Sequence, residues 1–92
     1  MAKVIKADGH EQDIAPANED FFSLEEIQGV VKGYYRPLYL RKKEVMLVND
    51  DGIPLGLPKN EKASDIAHRQ GVIFPFDDIY GDVLICGQEQ ID

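Results

Sequence analysis

The sequence predicts an α+β fold, one small domain in the order ββαββαβ, with a mainly antiparallel sheet and both helices packed on one face of it. Three observations lead there. Two stretches carry branched or aromatic residues on either side of turn-forming residues, the mark of hairpins. Two others have helical spacing, begin at a capping residue and stop at a glycine. A fully apolar run, "DVLIC", stands alone near the end.

"KVIKADGHEQDIAP" forms the first hairpin, with Val4 and Ile5 in one arm and Ile14 in the other. Asp8-Gly9 between them supplies the positive φ angles of a two-residue turn. Pro16 ends the second arm and "ANED" is a loop. "FFSLEEIQGVVKG" is the first helix. Ser23 caps it, Glu26 three residues on completes a capping box, and Phe22 staples onto Ile27. Leu24, Ile27 and Val31 form its apolar face, Val30 widens it, and Gly33 closes it in the left-handed conformation. Gly29 inside it calls for a short helix or a close packing contact. "YYRPLYLRKKEVMLVND" is the second hairpin, turning at "RKK". Pro37 lacks a ladder donor and makes its arm an edge strand or a bulged one. In "NEKASDIAHRQG" Asn60 caps a second helix, Ala63, Ile66 and Ala67 face the core, and Gly71 stops it. "GVIFPFDDIYG" is a loop with buried aromatic anchors, and "DVLIC" is the last strand. The domain runs over 1–88, and 89–92 is a polar tail. The order is that of β-grasp proteins such as ubiquitin, an analogy that carries no function.

Composition bounds the function. A 43% hydrophobic and 29% charged chain is ordinary for a soluble globular domain. No apolar run approaches the ~20 residues of a membrane span, and the start has no stretch fit for a signal peptide. The single cysteine, Cys86, rules out an internal disulfide and suits a reducing cytoplasm, the expected location. A net charge of −7 opposes binding to nucleic acid or anionic membrane. The charge is uneven, however. Residues 1–31 hold seven acids against Lys3 and Lys6, whereas residues 32–43 hold five of the ten basic residues. Arg36, Arg41, Lys42 and Lys43 there interleave with tyrosines, a composition that can stack bases and neutralise phosphates. The competing reading is a half-buried strand whose cations keep a hairpin tip soluble and unpaired.

The segment "VNDDGIPLGLPKNEKASD" gathers two adjacent acids, two glycines and two prolines between a strand and a helix. It fails as a calcium loop, because aligning Gly52 with the obligatory glycine puts Leu47 and Pro58 at ligand positions. It fails as a phosphate loop, since its glycines are sparse and no lysine-hydroxyl pair opens the helix. Asp51-Gly52 reads as a turn, Pro54 and Pro58 as stiffeners of an extended connection, with Leu55 inward and Leu57 partly outward. His10, His68 and Cys86 have no ligand spacing, so neither metal nor cofactor is expected. No nucleophile or zinc-hydrolase motif is present. The pairs Asp50-Asp51 and Asp77-Asp78 are solvated surface, because catalytic carboxyls need a defined separation across a cleft. Cys86 reads as a small buried hydrophobe.

Three segments, "LEEIQGVVKGYY", "VMLVNDDGIPLGLPKNEKA" and "DDIYGDVLICG", together about two-thirds of the chain, resemble a family of short bacterial, plasmid- and phage-borne proteins known only as a domain of unknown function (family 3846). "NDDGIPLGLPKN" is similar to that family's core pattern and "GDVLICG" to its closing strand, while "HRQGVIFPF" is looser. The resemblance implies an accessory protein of phage or mobile-element type and transfers no catalytic residue.

The expectation is therefore a non-enzymatic interaction protein that binds another protein, with Asn49, Gly56, Leu57, Pro58 and Asn60 as its surface. A rigid loop of this kind offers main-chain groups and small apolar pegs without costly ordering. A small-ligand or nucleotide sequestering protein is the second reading. An inhibitor of host nucleic-acid machinery, acting through the basic hairpin, is the third. A homo-oligomer through an edge strand is compatible with each.

Overall fold

The computed structural model describes residues 2–18 and 20–91. Met1, Glu19 of the "ANED" loop and Asp92 of the tail lie outside the described residues. In chain order the elements are β1 (Ala2–Ile5), β2 (Glu11–Ile14), α1 (Leu24–Val31), β3 (Tyr35–Tyr39), β4 (Glu44–Asn49), α2 (Glu61–Arg69) and β5 (Val83–Gly87), followed by a single 3₁₀ turn, Gln88–Gln90. This is the predicted α+β class and order. The five strands lie in the order β2-β1-β5-β4-β3, and every neighbouring pair is antiparallel. A ubiquitin-like sheet pairs its first and last strands in parallel. Here β1 and β5 run opposite ways, so the β-grasp analogy fails.

The helices do not share a face. Ile27 and Val30 of α1 pack with Val4, Val45, Leu47, Leu84 and Cys86. Ala63, Ile66 and Ala67 of α2 pack with Ile5, Met46, Val48, Val83 and Ile85. Alternate residues of β4 and β5 thus belong to opposite cores, and the sheet is covered on both sides. The continuous apolar runs "VMLV" and "VLIC" are what a strand buried on both faces requires.

Local chemistry explains the elements. Ser23 Oγ accepts from the Glu26 N–H at 3.2 Å, and Glu26 Oε1 accepts from the Ser23 N–H at 3.0 Å, completing the capping box. Phe22 and Ile27 are both buried in the α1-side core, as a staple demands. Leu24, expected on the apolar face, is 57% exposed although Val31 two turns on is buried, because it is the first residue of α1 and no preceding helical turn flanks it. The left-handed residue that ends α1 is Lys32 (φ 64), not Gly33. A Cβ at Gly29 would meet nothing within 4 Å, so the brevity of α1, not close packing, accommodates that glycine. The first hairpin turn is one residue longer than predicted. Lys6 N–H donates to His10 O and Gly9 N–H to Lys6 O, with Gly9 at φ 99, a three-residue loop with its glycine in the bulge position.

Gln90 and Ile91 of the polar tail are tied into the domain. Phe22 N–H donates to Gln90 O at 2.6 Å, Phe22 and Ile91 form a parallel bridge, and Ile91 packs on the α1-side core. A single apolar residue among polar ones hid this role. At the other sheet edge, Leu40 N–H bonds Glu44 O and Asp50 N–H bonds Tyr34 O. By antiparallel alternation, the N position of Pro37 faces away from β4, so the proline sits on an edge strand and disrupts no ladder bond.

The second hairpin turns through Lys42 (φ 58) and Lys43 (φ 57), closed by Glu44 N–H donating to Arg41 O at 3.3 Å. Two successive left-handed residues are the geometry that Asn-Gly favours, and each left-handed lysine costs roughly 1–2 kcal/mol. Gln88 N–H on Lys43 O (2.8 Å) and Arg41 N–H on Gln70 Oε1 (2.7 Å) hold the turn in place. Replacing the pair by Lys42→Asn with Lys43→Gly is expected to raise stability by about 1–2 kcal/mol. The check is a higher urea midpoint at unchanged slope.

Acid should weaken the fold. Bonds from the N–H groups of Ser23 and Ala17 hold the Glu26 carboxyl below its ordinary value of 4.5. Hydrogen bonds from Lys3 and Lys62 do the same for Glu11, and the His10 N–H for Asp8. Groups depressed in the folded state contribute stability that is present above their unfolded values and lost as pH falls through the folded ones. Urea midpoints are expected to drop on acidification through that range. Glu26→Gln, which keeps an acceptor for Ser23, should make the drop shallower.

Candidate binding groove

The loop after β4 is ordered by its own backbone. Asn49 Oδ1 accepts from the Asp51 N–H at 2.7 Å, and Leu55 N–H donates to Asp51 O at 3.0 Å, making one helical turn. Gly56 (φ 68) closes it: Gly56 N–H donates to Ile53 O and Leu57 N–H to Gly52 O, both at 3.0 Å, a Schellman closure. Pro54 sits where a first helical turn needs no N–H. The segment is thus a capped helical turn and not a proline-stiffened extended connection. That change of period reverses the expected side-chain directions. Leu55 is exposed, while Leu57 is half-buried against Gly81, where a Cβ would lie 2.8 Å from Leu57 Cδ1.

The loop after α2 closes the same way. Gly71 (φ 67) donates to His68 O and Val72 to Ala67 O, both at 3.1 Å, so Gly71 stops the helix as predicted. Val72 and Ile73 then pack on the α2-side core. Phe74 and Phe76, expected as buried anchors, are instead 65% and 81% exposed and stack on each other with ring centroids 5.3 Å apart. The buried anchor of this loop is Ile79. "FPF" carried the missed signal, because a proline between two rings keeps both out of a ladder. His68 Nε2–H donates to Asp77 O, and Ser64 Oγ accepts from the Ile79 N–H at 2.8 Å.

The two loops are zipped together. Gly81 N–H donates to Pro58 O at 2.7 Å, Asn60 N–H donates to Ile79 O at 2.8 Å, and Lys59 bridges Tyr80. A Cβ at Gly52 would come within 3.1 Å of Tyr80 Cβ and 3.2 Å of Tyr80 O, so any side chain there would press on Tyr80 and push the loops apart by a few tenths of an ångström.

Of the five predicted binding residues, two asparagines are framework. Asn60 is fully buried. Its Oδ1 accepts from Ala63 N–H at 3.0 Å, and its Nδ2 donates to Ile5 O and Gly81 O, both at 2.9 Å. Asn49 donates from Nδ2 to Val31 O at 2.8 Å besides receiving Asp51. Each therefore uses its donor and its acceptor within the fold. Gly56 and Pro58 are exposed, and Leu57 faces inward.

Between the zipped loops and β3–β4 lies an open groove of about 510 Å³. Leu38, Val48 and Ile79 line its depth, Ile53, Pro54, Ile73 and Phe74 its apolar walls, and Arg36, Asp50, Asp77 and Asp78 its charged margin. Ile53 is 71% exposed. A family model, Domain of unknown function (DUF3846), matches residues 2–92 and so spans both loops, the groove and the terminal turn. The chain belongs to this family. No curated protein and no solved structure matches it.

In this DUF3846 domain the predicted basic patch is not one surface. Arg36 lines the groove with its Nε 3.9 Å from Asp50 Oδ1, whereas Arg41, Lys42 and Lys43 sit in the turn past Tyr39. Five residues of strand put about 16 Å between Arg36 and that turn. A second hollow of about 270 Å³ lies between α1 and the first hairpin, beside Val30, Ile14, Lys6 and Lys32. No group of three His, Cys, Asp or Glu that could hold a metal ion occurs among the described residues. Burial pushes the Cys86 thiol up to about 11, which makes it a poor nucleophile near neutral pH.

Proposed function

We propose that this domain is a non-enzymatic binding module, an accessory protein of phage or mobile-element type acting in the cytoplasm, which docks another protein in the groove between its zipped loops and β3–β4. The observation that carries the reading is the apolar rim: Ile53, Phe74 and Phe76 are large, exposed and gathered on interlocked loops. Exposed aromatics beside a groove supply much contact area for little ordering entropy, because the loops are already fixed by backbone bonds. The contact residues shift accordingly from Asn49, Leu57 and Asn60 to Ile53, Phe74 and Phe76.

Sequestration of a small ligand is the second reading, favoured by the groove's volume, which falls within the ~300–1,000 Å³ of small-molecule sites. Three carboxylates against one arginine on its margin oppose a nucleotide there. The nucleic-acid reading is weakened by the separation of Arg36 from the basic turn. Edge-strand oligomerisation is opposed by Pro37 on one edge and by the short, acidic β2 on the other. A photo-crosslinking side chain placed at Phe76, and in a second variant at Glu25 on α1, tests the proposal in producing cells. A discrete protein adduct identified from position 76 and absent from position 25 is the expected result. Equal adducts from both positions, or none from 76, would remove the groove as the docking site.

A further inference from the structure

We infer that the segment filling the groove is basic, lysines and arginines around an apolar anchor; this rests on the groove being the docking site. Its margin carries Asp50, Asp77 and Asp78 against one cation, Arg36, which already lies 3.9 Å from Asp50. The neighbouring Lys59 is engaged as well, 3.3 Å from Glu61 and 3.6 Å from Asp78. Asp77 is exposed and has no cationic partner among the described residues. An incoming cation therefore finds an unneutralised carboxylate, and an incoming anion finds no free base.

The apolar part of the site points the same way. Phe74 and Phe76 stack 4° from parallel and keep most of their surface in solvent. The open face of such a pair attracts guanidinium or ammonium through its quadrupole. Between Phe74 and Ile53, the groove over Leu38 and Val48 takes an aliphatic or aromatic side chain. The chain's own cations, Arg41, Lys42 and Lys43, do not line the groove, and the net charge of −7 draws a basic segment toward the protein.

Two synthetic peptides with the same apolar anchors, one flanked by lysine and arginine and the other by glutamate, test the inference by amide-shift titration of the isotope-labelled protein. The basic peptide is expected to move the amides of Ile53, Phe74 and Asp77 but not those of Glu25 and Gln28 on α1. Its affinity should fall with added salt and drop by up to roughly fivefold in Asp77→Asn, the worth of one exposed ion pair. Equal or tighter binding of the glutamate peptide at those amides overturns the basic assignment and leaves the groove standing. If neither peptide moves them, the inference also fails, while the crosslink from position 76 decides separately whether the groove docks a protein.

Discussion

Asn60→Ala is expected to destabilise the domain by about 3–5 kcal/mol, the largest effect of any single alanine substitution proposed for it. The side chain is wholly buried and makes three bonds to three parts of the chain: the first turn of α2, the end of β1 and the loop that leads into β5. Loss of the cap costs ~1 kcal/mol. The rest comes from Ile5 O and Gly81 O, which lose a donor in a place water does not reach. A 92-residue domain has on the order of 5–14 kcal/mol to lose, so the variant should unfold at markedly lower urea and temperature. Asn60→Ser, which keeps only a capping oxygen, should recover ~1 kcal/mol of the loss. Asn60→Asp keeps the cap but points a carboxylate at two carbonyl oxygens. It should be worse than Asn60→Ala at neutral pH and recover on acidification, as protonation restores a donor. If Asn60→Ala melted like the wild type, the framework role would be wrong.

Asn49→Ala should follow, at about 2–4 kcal/mol. It strips the acceptor from Asp51 N–H at the start of the helical turn, and the donor from Val31 O at the end of α1. The bond to Val31 ties the two faces of the sheet together, because α1 packs on one side and the loop closes the groove on the other. Asn49→Asp keeps the acceptor for Asp51 but turns a carboxylate oxygen onto Val31 O, so it should retain the loop's amide protection against hydrogen exchange while fraying the last turn of α1. Uniform loss of protection across the domain in Asn49→Asp would contradict that division.

What could be read from the sequence was local. Ser23 and Glu26 specify a helix start within four residues, Gly71 a helix stop, and Pro37 an edge; each stands where the sequence placed it. Asn60 as a cap was equally plain, because capping is a contact over three residues. Its bonds to Ile5 and Gly81 span 55 and 21 residues and left no local mark. The side chains of "DGIPLGLP" were misdirected because two prolines suggest extension, whereas a left-handed Gly56 after one helical turn satisfies the same residues. The face each helix covers was also hidden, since element order does not encode it. The unbroken apolar runs of β4 and β5 did record that both faces are covered. Exposure of Phe74 and Phe76 contradicts simple hydrophobicity, and such conflicts between local chemistry and burial gather at functional surfaces.

The division between a framework of buried asparagines and an apolar rim left free for a partner is the centre of this account. Urea denaturation of Ile53→Ser/Phe74→Ser/Phe76→Ser beside the wild type tests it most directly. Each of these side chains stands mostly in solvent, and surface substitutions change stability by about 0.5 kcal/mol or less. The midpoint and slope are therefore expected to stay close to the wild type. A stability lowered by several kcal/mol, at the ~3–5 kcal/mol that each buried phenylalanine is worth, would make the rim part of the core and contradict the account.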